Sequence, residues 1–248
     1  MSNDGRPPSS EHLDLVRTLA ELAREFAGSR QVRTIDEVLD HVLAVSVDLI
    51  DAADHASVRL AAEVSGPAEP SRTSSDIAAA LDRVQRRPGD GPTVDLLHRS
   101  FEADVDLAAV VAGPVHRWPG LAEVADAVGV RALAAVPLAM HERTLGVLTL
   151  YSSSTAAFDE DSLTVATAIA AHAAIAVQSL QKEAQFRSGL ASRDIIGQAK
   201  GMLMERFEVD SVQAFEMLSK LSQNNNRPLH KLAADIVEAG AKLRYPST

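Results

Sequence analysis

Apolar positions follow two periods along this chain, and the switches between them mark its elements. Leu15, Leu19, Leu22 and Phe26 make a helical stripe over residues 12–26. Ile35, Val38, Leu39, Val42, Val45 and Leu49 make a second, opened by Thr34 as cap with Glu37 three residues on. Residues 56–62 change to a period of two, with Val58 and Leu60 on one side and Ser57 and Arg59 on the other, which predicts a strand. Residues 65–75, rich in Gly, Pro and Ser, read as a loop or short strand. Residues 77–85 read as a short helix that Pro88-Gly89-Asp90-Gly91-Pro92 must end. A strand over 101–109 and a helix over 121–128, introduced by Trp118-Pro119-Gly120, come next. Residues 132–140 and 145–151 form the clearest hairpin, with 141–144 at its turn. Asp159, Glu160 and Asp161 suit the N-terminal end of a long helix, which passes Leu180 and Phe186 and runs almost to the tail.

The tail reads as three short amphipathic helices. Ile196, Ala199, Leu203 and Phe207 face one way on the first. Asp210 or Ser211 caps the second, with Gln213 placed to fold back, and Ala214, Phe215, Leu218 and Leu221 are its core face. Pro228 opens the third, Leu229, Leu232, Ala233, Ile236 and Val237 form its stripe, and Gly240 stops it. The pattern predicts an α+β domain, an antiparallel sheet with flanking helices, followed by a small three-helix all-α domain. The expected divisions are a disordered 1–10, the α+β domain over 11–180, a helical linker over 181–189 and the helical domain over 190–244. A dimer is expected through Leu15, Leu19 and Leu22 of the first helix and Ile169, Ala173, Ala176 and Leu180 of the long one.

Charge divides unevenly. The 248 residues carry a formal −10, but from Leu190 onward eight Lys and Arg face seven Asp and Glu, a net +1 that leaves −11 on the remainder. That contrast suits a nucleic-acid face on the tail without demanding one. With no cysteine, disulfides, thiolate catalysis, cysteine-ligated zinc and thioether-attached chromophores are excluded, and a reducing cytoplasm is expected. The first ten residues lack the order of a signal peptide. The apolar stretch over 165–177 is short and interrupted by His172, so no membrane span is expected.

The candidate chemistry is sparse. Gly89-Asp90-Gly91 reads as an anion-cradling nest or, more simply, an ordinary turn, since it lacks the Gly-Lys-Ser/Thr ending of a phosphate loop. His98, His116, His141 and His172 are scattered, so no metal or haem site is expected. Asp51 and Asp54 read as a helix end and a loop. No reactive set of residues emerges, so neither an enzyme nor a cofactor is expected. In the tail, Gly197 and Gly201 lie one turn apart and leave a strip without side chains, open either to a phosphate backbone or to another helix. Arg193 and Lys200, seven apart, share a helix edge beside it. Lys220, Arg227 and Lys231 lie on or beside the later helices.

Two resemblances sharpen this. The run Ser192-Arg193-Asp194-Ile195-Ile196-Gly197-Gln198-Ala199-Lys200-Gly201-Met202-Leu203-Met204-Glu205-Arg206, followed by Ala214-Phe215-Glu216-Met217-Leu218, Ser222-Gln223 and Asn226-Arg227-Pro228-Leu229, resembles an ANTAR module. That family is a small helical domain that binds RNA hairpins and prevents transcription from terminating. The resemblance implies a regulator that holds a pair of short hairpins in a nascent leader. Its candidate RNA contacts are Arg193, Gly197, Lys200, Gly201, Arg206, Lys220, Gln223, Asn226, Arg227 and Lys231. Upstream, Leu81-Asp82-Arg83-Val84-Gln85, Gly89-Asp90-Gly91-Pro92, Ala135-Val136-Pro137-Leu138, Leu145-Gly146-Val147-Leu148 and Ala157-Phe158 resemble a GAF domain of the kind joined to ANTAR modules. Such a domain implies either a small-molecule pocket, here expected near Phe101, Asp106, Trp118 and Met140, or a dimerisation scaffold. The signature of cyclic-nucleotide binders is not visible. Two rival readings stand beside this one: a small-ligand sensor acting through protein partners, and a DNA-binding regulator.

Overall fold

Residues 34–61, 71–85, 89–98, 111–140 and 143–244 are described by the structure, a computed structural model, with side chains as far as 239. Contacts divide the chain into two units, Met1–Gln181 and Lys182–Thr248. The expected helix over 12–26, with Leu15, Leu19 and Leu22, and the expected strand over 101–109 lie outside the described residues.

In the first unit, helix α1 (Ile35–Leu49) starts at the anticipated capping box, with Glu37 N donating to Thr34 Oγ1 at 3.2 Å and Thr34 N to Glu37 Oε2 at 3.0 Å. Strands β1 (His55–Leu60) and β2 (Ser71–Thr73) follow, then helices α2 (Asp76–Val84) and α3 (Pro92–Leu97). Helix α3 was not anticipated. Pro92 occupies its first turn, where the missing N–H costs nothing and the fixed φ suits a helix, so the proline that reads as a terminator is also an initiator. Strand β3 (Val111–Pro114), helix α4 (Pro119–Val128), strands β4 (Ala132–Met140) and β5 (Arg143–Ser152) and helix α5 (Glu160–Phe207) complete the order. The strands form one antiparallel sheet in the order β2-β1-β5-β4-β3. Arg143 and Thr144, expected in the turn, belong to β5, and Met140 pairs with Arg143.

Helices cover both faces of the sheet. Val58, Val136, Leu148 and Leu150 meet Val38, Leu39 and Val42 of α1 and Val165, Ile169, Ala173 and Val177 of α5. Leu133 and Tyr151 meet Ala78 and Leu81 of α2, Leu121 and Ala125 of α4, and Trp118. A strand buried on both sides reads as a continuous apolar run, which is why 132–138 has no polar alternation. Ile169 and Ala173, expected in a dimer contact, are core of this unit, and Ala176 and Leu180 pack against that core. By length and composition α5 could cross a bilayer, since its most apolar 18-residue window averages a hydropathy of 1.6. The helix outruns the stretch on which the opposite expectation rested. Val165, Ala166, Ile169, Ala170, Ala173, Ala174 and Val177 in this stretch are buried in the core against the sheet, while Ile175 is exposed.

In the second unit α5 continues to Phe207, so the first tail helix is the end of this 48-residue element rather than a separate piece. Nothing stronger than single glycines interrupts it, and each costs only about 1 kcal/mol in a helix interior. Helix α6 (Ser211–Asn224) begins at the anticipated Asp210 box, where Asp210 Oδ1 accepts from Val212 N at 2.9 Å and Gln213 N at 2.8 Å. Helix α7 (Leu229–Arg244) runs past Gly240, which does not stop it. The core is small: Ala199, Leu203, Ala214, Leu218 and Ala233 are buried. Phe207, Phe215 and Leu221, expected within it, are 52%, 46% and 41% exposed. Alanines at the centre bring the helices close together, and the bulkier side chains at the margins stay outside.

Candidate functional sites

Between the sheet and helices α2 and α3 lies a polar interior assembled from distant residues. Gln85, at the C-terminal cap of α2, lays its amide across the site. Its Oε1 accepts from Thr93 N at 3.2 Å and Thr93 Oγ1 at 2.8 Å, and its Nε2 donates to Tyr151 Oη at 2.9 Å. The Thr93 hydroxyl has one proton and gives it to Gln85, so Thr149 Oγ1, 2.9 Å away, is the donor to Thr93. Ser57 Oγ lies 3.4 Å from Tyr151 Oη. Ser57, Gln85, Thr93, Thr149 and Tyr151 are all fully buried. Burial pushes the Tyr151 hydroxyl well above the ordinary phenol range, against hydrogen bonds from Ser57 and Gln85 that act the other way. Gly91 makes room for this arrangement, because a Cβ there would sit 2.3 Å from Gln85 Oε1.

Beside the network, the Arg59 guanidinium donates to Asp82 Oδ2 at 2.5 Å, Oδ1 at 3.3 Å and the Asp82 carbonyl at 2.7 Å. Gln85 of one motif and Gly91 of the other thus lie side by side, and Asp82 of the first is tied to Arg59 of β1, contacts that spacing alone does not display. Asp54, read from sequence as a loop residue, accepts from Ser153 N at 2.6 Å, and hydrogen bonds from the Ser153 backbone and hydroxyl hold its carboxyl below the usual range.

Of the four residues expected to line a pocket, the two that are described, Trp118 and Met140, lie on opposite faces of the sheet. Trp118 packs in the cluster with α2 and α4, with the Arg117 guanidinium 5.5 Å from its ring centroid. Met140 packs against the core on the opposite face of the sheet, after the register shift at Leu138/Ala139. Phe101 and Asp106 lie outside the described residues. His98 is engaged with the Val94 carbonyl at 2.8 Å, and among the described residues no three His, Asp or Glu converge to hold a metal ion.

In the second unit the glycine strip is open: a Cβ on Gly197 or Gly201 would meet nothing within 4 Å. Of the two occupants that the sequence left open, another helix is not supplied by the described residues. Arg193 is exposed along one edge of the strip, and Lys200 on the same edge reaches Ser211 Oγ at 3.3 Å. Arg206, six residues beyond Lys200, stands about 120° round the helix from it and so apart from that edge. Lys220, Gln223 and Lys231 are exposed on α6 and α7. Asn226 takes a left-handed backbone, φ 49°, in the connector, where Ser222 Oγ donates to the Arg227 carbonyl at 2.5 Å. The Arg227 guanidinium is paired with Asp235 at 2.6 Å.

A family model described as GAF domain matches residues 32–178, more than half of the chain, and one described as ANTAR domain matches residues 184–237. No curated protein matches the chain. Among solved structures, the phytochrome photosensory core module of Stigmatella aurantiaca is similar over 88% of this chain and 46% of its own, at 14% identity and a TM-score of 0.51. The GAF domain from an Acinetobacter phosphoenolpyruvate-protein phosphotransferase is similar over 69% of this chain and 95% of its own, at 14% identity and a TM-score of 0.45. Escherichia coli SdiA is similar over 91% and 98%, at 14% and 0.45. With a five-stranded antiparallel sheet between helical layers and a helical unit after it, the chain belongs to the GAF domain family and carries an ANTAR domain at its C-terminal side.

Proposed function

We propose that this chain is a non-enzymatic, cytoplasmic transcription antitermination regulator whose ANTAR domain binds hairpins in nascent leader RNA. The observation that carries the reading is the open glycine strip edged by Arg193 and Lys200 within the residues matched by the ANTAR model. Bare helix backbone lets a phosphate chain come close, and the two cations are placed to meet it. Hairpin loops offer unstacked bases, the usual objects of sequence-specific RNA reading. In this reading residues 11–180 act as sensor and scaffold, 181–189 as linker and 190–244 as the RNA-binding part. The chain works as a homodimer, so that two modules engage two linked hairpins and gain from effective concentration. Ile175, exposed on α5, is available to such a dimer.

Titration of the full chain with a two-hairpin RNA at several salt concentrations tests the reading. Arg193→Ala and Lys200→Ala should each weaken binding and lower the log-log salt slope by about 0.7 to 0.9, whereas Arg206→Ala should do less. Unchanged affinity in well-folded Arg193→Ala and Lys200→Ala would put the RNA face elsewhere. Duplex DNA competing as well as the hairpins would favour the DNA-binding alternative.

A further inference from the structure

Phe215 is 46% exposed on α6, although its spacing predicts a core position, and its surroundings are those of a contact surface. Ser211 lies four residues earlier, one turn away on the same edge of the helix. Its hydroxyl receives Lys200 Nζ at 3.3 Å, which sets an ammonium beside the first turn of α6, the turn that precedes the ring. Next to Lys200 on α5, the positions of Gly197 and Gly201 open onto empty space. The first N–H groups of α6 are already satisfied by the Asp210 side chain, so the charge available to an anion at this edge is that of Lys200 and Arg193 rather than of the helix end. An aromatic face, a cation and exposed backbone together match an unpaired nucleotide: the base stacks on the ring, and its phosphate meets the ammonium over the glycines. Lys200 and Arg193 stand at this edge against the carboxylate of Asp210, which is occupied with the α6 N–H groups, and their charge favours a polyanion over an apolar protein surface.

We propose that Phe215 is a stacking platform for an unpaired loop base whose phosphate is held by Lys200. The proposal rests on the RNA-binding reading above. The probe is a hairpin RNA selected against the full chain from a pool with randomised loops, then made with 2-aminopurine at each loop position in turn. Phe215→Leu keeps an apolar side chain without a π-face, and should weaken binding about 5- to 150-fold, as expected for the loss of one stacked base. Thermal melting of the variant should match that of wild type, and Phe215→Tyr should keep its affinity within about threefold. One 2-aminopurine position should be quenched by wild type and Phe215→Tyr but not by Phe215→Leu. Equal affinity of Phe215→Leu and wild type overturns the stacking role alone, and recovery of no hairpin by wild type overturns the RNA-binding reading with it. A loss in Phe215→Tyr as large as in Phe215→Leu marks a packing role and overturns the proposal. So does a changed dimer with unchanged RNA affinity, which assigns the ring to a protein interface.

Discussion

Gly91→Ala tests whether the polar interior is built as described. Gly91 has φ 177°, extended backbone open to any residue, so the added methyl acts through space alone. It would lie 2.3, 2.5 and 2.6 Å from Gln85 Oε1, Cγ and Cδ, and the Gln85 side chain must move away. Its departure removes the acceptor from Thr93 N and the donor from Tyr151 Oη, while the Thr93 hydroxyl can turn to Thr149. Two buried polar groups then lose partners at about 1 to 3 kcal/mol each. Part of this is offset when the freed amide reaches water, so a net loss of about 2 to 4 kcal/mol is expected. Urea denaturation reads it directly, because Trp118, the single tryptophan, lies in the neighbouring cluster. The same change on a Gln85→Ala background should cost less than about 0.5 kcal/mol, since the displaced side chain is already gone. Additive costs in that cycle, or a single-variant cost below about 0.5 kcal/mol, would refute the argument.

Two further outcomes follow from the same unit. Asp82→Ala leaves the Arg59 guanidinium largely buried without its partner, the pair's side chains being only 15% and 4% exposed, and should cost about 3 to 5 kcal/mol by denaturation. For Asp54 the folded pKa is depressed, so its contribution is fully present above the unfolded value of about 3.9 and is lost as pH falls through the folded one. The stability gap between wild type and Asp54→Asn, measured by urea denaturation, should therefore narrow below about pH 4.

Local signals were the legible ones. Both capping boxes, Thr34 with Glu37 and Asp210 with Gln213, are settled by residues three apart and stand where their spacing put them. The hairpin of β4 and β5 was visible because its apolar run and its turn are contiguous. Helix α3 was hidden by Pro92, which is equally a breaker and a starter. Periodicity assigned Phe207, Phe215 and Leu221 to apolar faces but carries no information on how wide a stripe two short neighbouring helices can cover. The least legible feature was the Gln85, Thr93, Thr149 and Tyr151 network, whose members are separated by up to 66 positions and meet only through the β-sheet. Trp118 and Met140 were grouped as a pocket because nothing local tells which face of a doubly covered sheet each will join.

The charge balance bears on how such a chain could hold RNA. A formal −10 gives no long-range pull toward phosphate, and the residues from Leu190 onward carry only +1. Even there, Arg227 is paired with Asp235 at 2.6 Å, a pair that would have to open for the guanidinium to meet a phosphate. Arg193 and Lys200 are then the cations left beside the glycine strip, and two contacts per copy give a log-log salt slope of only about −1.4 to −1.8. Binding of that kind is weak unless shape and stacking contribute, because non-specific RNA, which offers the same phosphates, would be held equally well. In the RNA-binding reading proposed above, selectivity must therefore come from what the phosphates do not supply: open backbone at Gly197 and Gly201, and an exposed ring at Phe215, one turn along α6 from the Ser211 that meets Lys200.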